Sequence, residues 1–188
     1  MGTHRRRRGE SWHWLRCLLF TVALVSVAPG DMFGAGPAQD RLGEYQVKAA
    51  FLYNFMKFIE WPSSDTRSAG FVICVVGRDP FYEALEAVVK GKQANGREIV
   101  VRQLERDHDP QACHSVFIPD SDSKRSAEIL ERIRHAAVLT VGEGSRFLSE
   151  GGLIRLYIDD NHVRFQIDGA GARRVGLKVS SQLLSLAR

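Results

Sequence analysis

Cys113 and His114 are adjacent in the sequence and resemble a nucleophile beside a general base. They fall at the start of a predicted β-strand, where neighbouring side chains point to opposite faces, so the two cannot easily share a proton. A disulfide at Cys113 would also occupy the sulfur. We therefore assign no catalytic role to this pair.

Three other groups contain residue types that occur in binding sites. Asp159, Asp160 and His162 could ligate a metal, but aspartate is also favoured in tight turns and no second cluster of ligands accompanies them. Residues 142–145 follow a predicted strand and could cradle a phosphate, but they lack a complete glycine motif and a Walker lysine. A basic cluster fits a solvated face better than an anion site: Arg173, Arg174 and Lys178. We predict no catalytic residue, no metal and no cofactor.

Two cysteines, Cys74 and Cys113, remain once the N-terminal leader described below is set aside. Both lie in or beside predicted core strands. If these strands are neighbours, the cysteines could form a disulfide, as is common in exported proteins. Such a bond would close a loop of about 40 residues, which the chain-entropy model values at about 4 kcal/mol. The alternative is two buried free thiols that pack as small apolar side chains.

The first 38 residues have the pattern of an export signal. Four consecutive arginines at residues 5–8 precede an uncharged stretch at residues 17–30, and small residues follow at 34–38. The stretch is shorter than the roughly 20 apolar residues that a membrane-spanning helix needs. We predict cleavage after Ala38, with a cut near residue 30 or an uncleaved anchor as alternatives. The mature chain, residues 39–188, is expected in the periplasm without stable membrane insertion.

Composition and charge exclude several classes of protein. Of the 188 residues, 44% are hydrophobic and 26% are charged, values that are ordinary for a globular domain and argue against disorder. The leader holds five of the 26 basic and two of the 22 acidic residues, so the remaining chain has a net charge of only +1. A body so nearly balanced is not expected to bind nucleic acid.

The secondary-structure pattern predicts a single compact α/β domain. A helix at residues 44–61 ends at Pro62, and buried strands follow at residues 71–76, 98–104, 115–118 and 137–141. Helices are expected after Asp79 and after Ser121 or Ser123. A β-hairpin at residues 153–158 and 163–167 precedes a final helix at residues 175–187. Strands that alternate with helices favour a mostly parallel sheet covered on both faces, to which the hairpin adds antiparallel strands.

The helix at residues 44–61 has an unusually wide apolar surface. One stripe consists of Val47, Ala50, Phe51, Phe58 and Trp61, and a second consists of Leu52, Met56 and Ile59, with Phe55 between them. Either the sheet and the C-terminal helix bury both stripes, or part of the surface docks a partner or a second subunit. For the docking alternative we take the candidate partner-binding residues to be Leu52, Phe55, Met56 and Ile59, because bulky apolar side chains suit the core of an interface.

The chain resembles the YfiR family in several separate blocks that follow the family order. The opening block is EYQVKAAFLYNFMKFIEWP at residues 44–62, and the later blocks are ICVVGRDPF at 73–81, GRE at 96–98, CHSVFI at 113–118, VLTVGEGSRFLSEGGLIRL at 138–156, VRFQID at 163–168 and GLKVSSQLLSLA at 176–187. Together they extend over nearly all of residues 45–188. Several blocks in order are more specific than any one short motif.

The resemblance implies an exported, non-enzymatic regulator that is often dimeric. The best-known relative represses an inner-membrane diguanylate cyclase by binding its periplasmic part, which lowers cyclic di-GMP and biofilm formation. The resemblance also favours the disulfide, because Cys74 and Cys113 match the family's cysteine positions. Some relatives have a second cysteine pair, but residues 142–158 of this chain contain no cysteine. The alternative function is a periplasmic ligand-binding or sensor protein without a cyclase partner. Its ligand would bind where parallel strands end, near residues 77–79, 119–121 and 142–145.

Overall fold

The computed structural model describes residues 37–63, 65, 67 and 70–188. The helices in this part of the chain are α1 (Pro37–Phe58), α2 (Phe81–Val89), α3 (Ser126–Arg132), α4 (Gly169–Arg174) and α5 (Ser181–Leu186). The strands are β1 (Ile59–Glu60), β2 (Phe71–Val76), β3 (Gln93–Ala94), β4 (Arg97–Leu104), β5 (Ser115–Ile118), β6 (Leu139–Gly142), β7 (Ile154–Asp159), β8 (His162–Ile167) and β9 (Lys178–Val179). The predicted leader lies outside the described residues except for residues 37 and 38, so its cleavage stays a prediction.

A seven-stranded sheet forms the centre of the fold, in the order β3-β4-β2-β5-β6-β7-β8. The five strands from β4 to β7 are parallel, and the edge strands β3 and β8 are antiparallel to their neighbours. Every side chain of β2, β5 and β6 is buried, as expected for parallel strands covered on both faces. The predicted α/β fold with a mostly parallel sheet is therefore confirmed.

The predicted hairpin is also confirmed, as the pair β7 and β8. Asp159 pairs with His162, and the two residues between them have positive φ angles of 48° at Asp160 and 58° at Asn161. Two consecutive left-handed residues make the turn whose twist matches that of the flanking strands. Asp160 is therefore part of the turn that sets the hairpin register.

Helices pack against both faces of the sheet and form a separate hydrophobic core on each face. Alternate residues of β2 enter different cores: Ile73 and Val75 pack with α1 and α2, whereas Cys74 packs in a second core that includes Ile129 of α3. Cys74 forms a disulfide with Cys113 in this second core, with 5.9 Å between their Cα atoms. The bond joins β2 to the residues that lead into β5, as the sequence predicts.

The first helix differs from its predicted bounds. The chain is already helical at Pro37, the first described residue, seven residues before the predicted start. The helix ends at Phe58 rather than at residue 61. Ile59 and Glu60 instead form β1, which pairs antiparallel with Val179 and Lys178 of β9. This long-range pairing overrides the local helical pattern.

The predicted final helix, residues 175–187, is also wrong as a single element. Gly176 adopts a positive φ of 84°, which ends the helical path, and β9 follows it. Helix α5 begins only after Ser180, whose hydroxyl oxygen accepts a hydrogen bond from the Leu183 N–H at 3.1 Å. Gly169 and Gly171 lie in the short helix α4, which Asp168 caps by accepting the Gly171 N–H at 2.8 Å.

The prediction that Leu52, Phe55, Met56 and Ile59 form an exposed partner-binding surface is wrong. Each of these side chains is at most 1% exposed. They fill the core between α1 and the sheet, where Phe55 packs edge-on against Phe165 of β8 with 5.2 Å between ring centroids. The other apolar stripe of α1 lies nearer the surface, since Val47 is exposed and Phe51 and Phe58 are only half-buried.

Candidate functional site

A polar crevice lies where the parallel strands β2, β5 and β6 end. Residues 77–79, 119–121 and 142–145 follow these strands, and the crevice of about 630 Å³ is lined by Asp79, Asp120, Ser121 and Glu143 from these loops. In the sheet, β4 lies on one side of β2 and β5 lies on the other. The direction in which the chain adds strands therefore reverses between β2 and β5. Such a reversal is the usual ligand position in open α/β sheets. The sequence located this crevice correctly.

Helix α1 closes the crevice from above. Lys48 of α1 is almost fully buried and forms ion pairs with Glu44, one turn earlier, and with Glu143 after β6. The second carboxylate oxygen of Glu143 accepts the Asp120 N–H at 2.8 Å. The Ser121 hydroxyl donates to Asp79 Oδ2 at 3.0 Å. These contacts tie α1 to the loops after β5 and β6.

Carboxylates in the crevice contribute to raised pKa values at Lys48 and Tyr45. Burial lowers the pKa of Lys48, but its hydrogen bonds and charge interactions with Glu143 and Glu44 outweigh burial and raise the pKa above the ordinary lysine value. Burial also raises the pKa of Tyr45, and the charges of Asp79 and Glu143 raise it further. Lys48 is therefore held as a charged, fully paired ammonium group, which does not suit it for a role as a general base.

An apolar face adjoins this crevice. It is formed by α1 and the β7–β8 hairpin, and it contains two large apolar side chains with substantial exposure, Val47 and Ile158, each 46% exposed. Between α1 and the hairpin, this face has a groove of about 420 Å³ lined in part by Val47, Phe51 and Ile158. Glu44 and Ile158 border both the groove and the crevice. We call this surface the apolar face.

His114 lies at the opposite end of the parallel strands from the crevice, just before β5 begins. Its Nδ1 accepts the Val72 N–H at 3.0 Å, and its Nε2 lies 2.9 Å from Asp65 Oδ2. Arg67 binds the Asp65 carboxylate at 2.7 Å and donates to the carbonyl oxygens of Cys113 at 2.6 Å and Ala137 at 2.9 Å. The cluster therefore joins the loop before β2 to the starts of β5 and β6.

Burial sets the charge state of this cluster. Burial and the neighbouring charge of Arg67 lower the pKa of His114 to about 4, although Asp65 opposes the shift. Burial raises the pKa of Asp65, but hydrogen bonds and the charge of Arg67, with a smaller contribution from His114, lower it to about 2. At neutral pH the cluster holds a neutral imidazole and an ionised carboxylate. With Cys113 in a disulfide, His114 has no thiol to activate.

Several side chains in the other residue groups have structural partners. Asp159 binds Arg164 at 2.7 Å, and the His162 ring contacts the carbonyl oxygen of Asp160, so these side chains belong to the hairpin turn. Among the described residues, no group of three or more His, Cys, Asp or Glu side chains is arranged to hold a metal ion. Arg174 pairs with Asp168 at 3.2 Å.

Comparison with known families assigns the chain. The sequence model of the YfiR/HmsC-like family matches residues 45–188, which is more than three quarters of the chain. The chain belongs to the YfiR/HmsC-like family. Comparison with curated proteins found no match. This family consists of periplasmic, non-catalytic regulatory proteins that act on diguanylate cyclases.

The crevice and the apolar face both depend on residues that sequence reasoning missed. Lys48 and Glu143 are 95 residues apart in the chain, and no local pattern indicates their ion pair. In the sequence, Val47 is recognisable only as part of an apolar stripe and Ile158 only as the end of a predicted strand. In the described part of the YfiR/HmsC-like chain, no helix is long and apolar enough to cross a membrane.

Proposed function

We propose that this YfiR/HmsC-like protein binds the periplasmic part of an inner-membrane diguanylate cyclase and represses the enzyme, so that cellular cyclic di-GMP and biofilm formation fall. The observation that carries the proposal is the family match over residues 45–188. A periplasmic protein cannot touch a cytoplasmic catalytic domain. It can act only by binding one conformation of the receptor's exterior more tightly than another.

The apolar face supplies a docking surface for such a receptor. Monomeric proteins rarely leave large contiguous apolar patches in water, and an apolar centre with a polar rim is typical of an interface. Val47 and Ile158 are exposed and line the same groove on this face, together with the half-buried Phe51. This pairing of exposed apolar side chains with an apolar groove favours the apolar face as the binding site.

The charge at the rim of this face specifies the chemistry of the partner. Asp160 lies at the exposed hairpin tip beside the groove, and Glu44 separates the groove from the crevice with its further carboxylates. A complementary partner surface would have large apolar side chains at its centre and lysine or arginine at its edge. We therefore expect a cyclase segment of this composition to cover the apolar face.

Affinity capture with matched variants tests the proposal. Tagged wild-type protein, the double variant Val47→Lys/Ile158→Lys and the control Val100→Lys would be purified from the periplasm of an expression host. Each would be incubated with detergent-solubilised membranes of the source organism, and bound proteins would be identified by mass spectrometry. Val100→Lys is a matched control because Val100 is 40% exposed but lies away from the apolar face.

The proposal predicts that the wild-type protein and Val100→Lys enrich a diguanylate cyclase with a periplasmic domain, and that the double variant does not. Equal capture by a folded double variant would refute the apolar face as the docking surface. Capture of no cyclase by folded wild-type protein would refute the proposed partner. Circular dichroism and melting temperature show whether each variant is folded.

The crevice favours a second candidate function, binding of a small ligand in the periplasm. Its position at the reversal of strand order and its volume of about 630 Å³ fit the common properties of ligand sites. A thermal-shift screen separates the two functions, because a specific ligand stabilises the isolated protein by mass action.

A further inference from the structure

The polar crevice contains charges of both signs that lack ionic partners. Arg155 of β7 lines it and stacks on the Tyr157 ring at 5.1 Å, but within the described residues it forms no ion pair and its buried Nε has no hydrogen-bond acceptor. Across the crevice, neither Asp79 nor Asp120 forms an ion pair with any residue that the structure describes. A buried guanidinium N–H without an acceptor is uncommon in folded proteins.

Lys48 does not compete for these unpaired groups. It forms ion pairs with both Glu44 and Glu143, so these three side chains together have a net charge of −1. Arg41 of α1 adds a further exposed guanidinium at the crevice mouth. The crevice therefore has an acidic end at the loops after β2 and β5 and a cationic end at β7.

The sheet register gives the distance between these ends. Ile118, Gly142 and Arg155 lie side by side on β5, β6 and β7, and Asp120 follows Ile118 by two residues. Strands are about 4.8 Å apart and a strand advances about 3.3 Å per residue, so the Cα atoms of Asp120 and Arg155 are about 12 Å apart. The crevice of about 630 Å³ therefore has room for a ligand longer than a single amino acid.

We propose that the crevice is a binding site for short peptides of two to four residues with free termini. The ammonium group binds at Asp120 and Asp79, and the carboxylate binds Arg155. An extended chain spans about 3.3–3.6 Å per residue, so a tripeptide is about 10 Å long, which is comparable to the Cα separation of Asp120 and Arg155. Guanidinium groups bind carboxylates through two parallel hydrogen bonds, which gives Arg155 a specific role. This inference specifies the ligand class of the second candidate function and does not rest on the proposed cyclase partner.

Thermal-shift and titration calorimetry measurements on the protein purified from the periplasm test this site. The probes are trialanine and pools of Ala-Xaa-Ala tripeptides, all with free termini. Three control compounds each lack one feature: alanine lacks the length, N-acetyl-trialanine lacks the ammonium group, and trialanine amide lacks the carboxylate. At 100 times its dissociation constant, a bound tripeptide raises the melting temperature by about 5–10 °C.

The proposal predicts that at least one tripeptide gives this rise at 10 mM or less, whereas the three control compounds give at most about 1 °C. Asp120→Asn and Arg155→Gln should each weaken the affinity at least about tenfold, as expected for loss of one charged contact. Arg155→Lys should retain part of the binding. Glu131→Gln is the matched control, because Glu131 is exposed on α3 and pairs with Arg134 away from the crevice.

Several results would overturn the peptide site. The proposal is wrong if no tripeptide stabilises the protein, or if the blocked compounds stabilise it as much as free tripeptides do. It is also wrong if Asp120→Asn and Arg155→Gln both bind tripeptides as tightly as the wild-type protein. If either variant does not fold, the comparison of free and blocked tripeptides on the wild-type protein still decides. Peptide binding is measured on the isolated protein and cyclase capture on membranes, so failure of one proposal is distinguishable from failure of the other.

Discussion

Acidification to pH 5 should destabilise the protein through His114. The fully buried imidazole has a pKa of about 4 in the folded protein, whereas an unperturbed histidine has a pKa near 6.5. Between these values the unfolded chain binds a proton that the folded protein does not, so stability falls as the pH falls from about 6.5 to about 4. At pH 5, which is about 1.5 pH units below the unfolded pKa, the loss is about 2 kcal/mol.

The groups around His114 explain why protonation is unfavourable. A charged imidazolium would lie beside Arg67 and within 2.9 Å of Arg97 Nη2, with Asp65 as the neighbouring carboxylate. The low pKa of Asp65, about 2, keeps that carboxylate ionised at pH 5, so Asp65 does not contribute to the change. The destabilisation between pH 7.5 and pH 5 is therefore assigned to His114.

Urea unfolding at pH 7.5 and pH 5 measures this effect. The wild-type protein and His135→Gln, a control at an exposed histidine, should both lose about 2 kcal/mol more than His114→Asn. Asparagine retains a side-chain oxygen that can accept the Val72 N–H but carries no titrating group. An equal loss in His114→Asn would refute the reasoning. If His114→Asn does not fold, an NMR titration that places the His114 pKa near 6.5 in the wild-type protein would refute it instead.

Two further predictions concern the core. Replacing Cys74 and Cys113 together by alanine removes a cross-link over a sequence separation of 39 residues. This change should lower the free energy of unfolding by about 4 kcal/mol, because the unfolded chain is no longer constrained by a closed loop. A loss below about 1 kcal/mol would argue against loop closure as the source of the stabilisation. Reductant should destabilise the wild-type protein but not this variant. Gly142→Ala would place a Cβ atom 2.5 Å from the Phe147 ring and should cost about 1–3 kcal/mol in urea unfolding. Gly144→Ala, whose nearest neighbour lies at 3.7 Å, should have little effect, and equal stability of the two alanine variants would contradict the packing account.

The fold was predictable because its signals are local and regular. The apolar run of β2, the alternation of β7 and β8 and the helical pattern between strands each identify an element from adjacent residues. Errors arose where a distant pairing decides the local structure. Pairing of Ile59 with Val179 shortens α1 and also splits the predicted final helix.

The site was only partly predictable for the same reason. The crevice followed from the general rule that ligands bind where parallel strands end, and its three loops were located correctly. Which stripe of α1 is exposed depends on how the helix is rotated against the sheet, and both stripes are apolar. Phe165, more than 100 residues after α1, packs against Phe51 and Phe55 and fixes this rotation. A helical pattern alone does not contain that contact.

Cyclic di-GMP measured in cells of the source organism tests the central claim most directly. The gene would be deleted and then restored as wild type, as Val100→Lys or as Val47→Lys/Ile158→Lys, with periplasmic protein levels matched by immunoblot. The account predicts that deletion raises cyclic di-GMP, that the wild type and Val100→Lys restore the low level, and that the double variant does not. An unchanged cyclic di-GMP level after deletion, or full repression by the double variant, would contradict it.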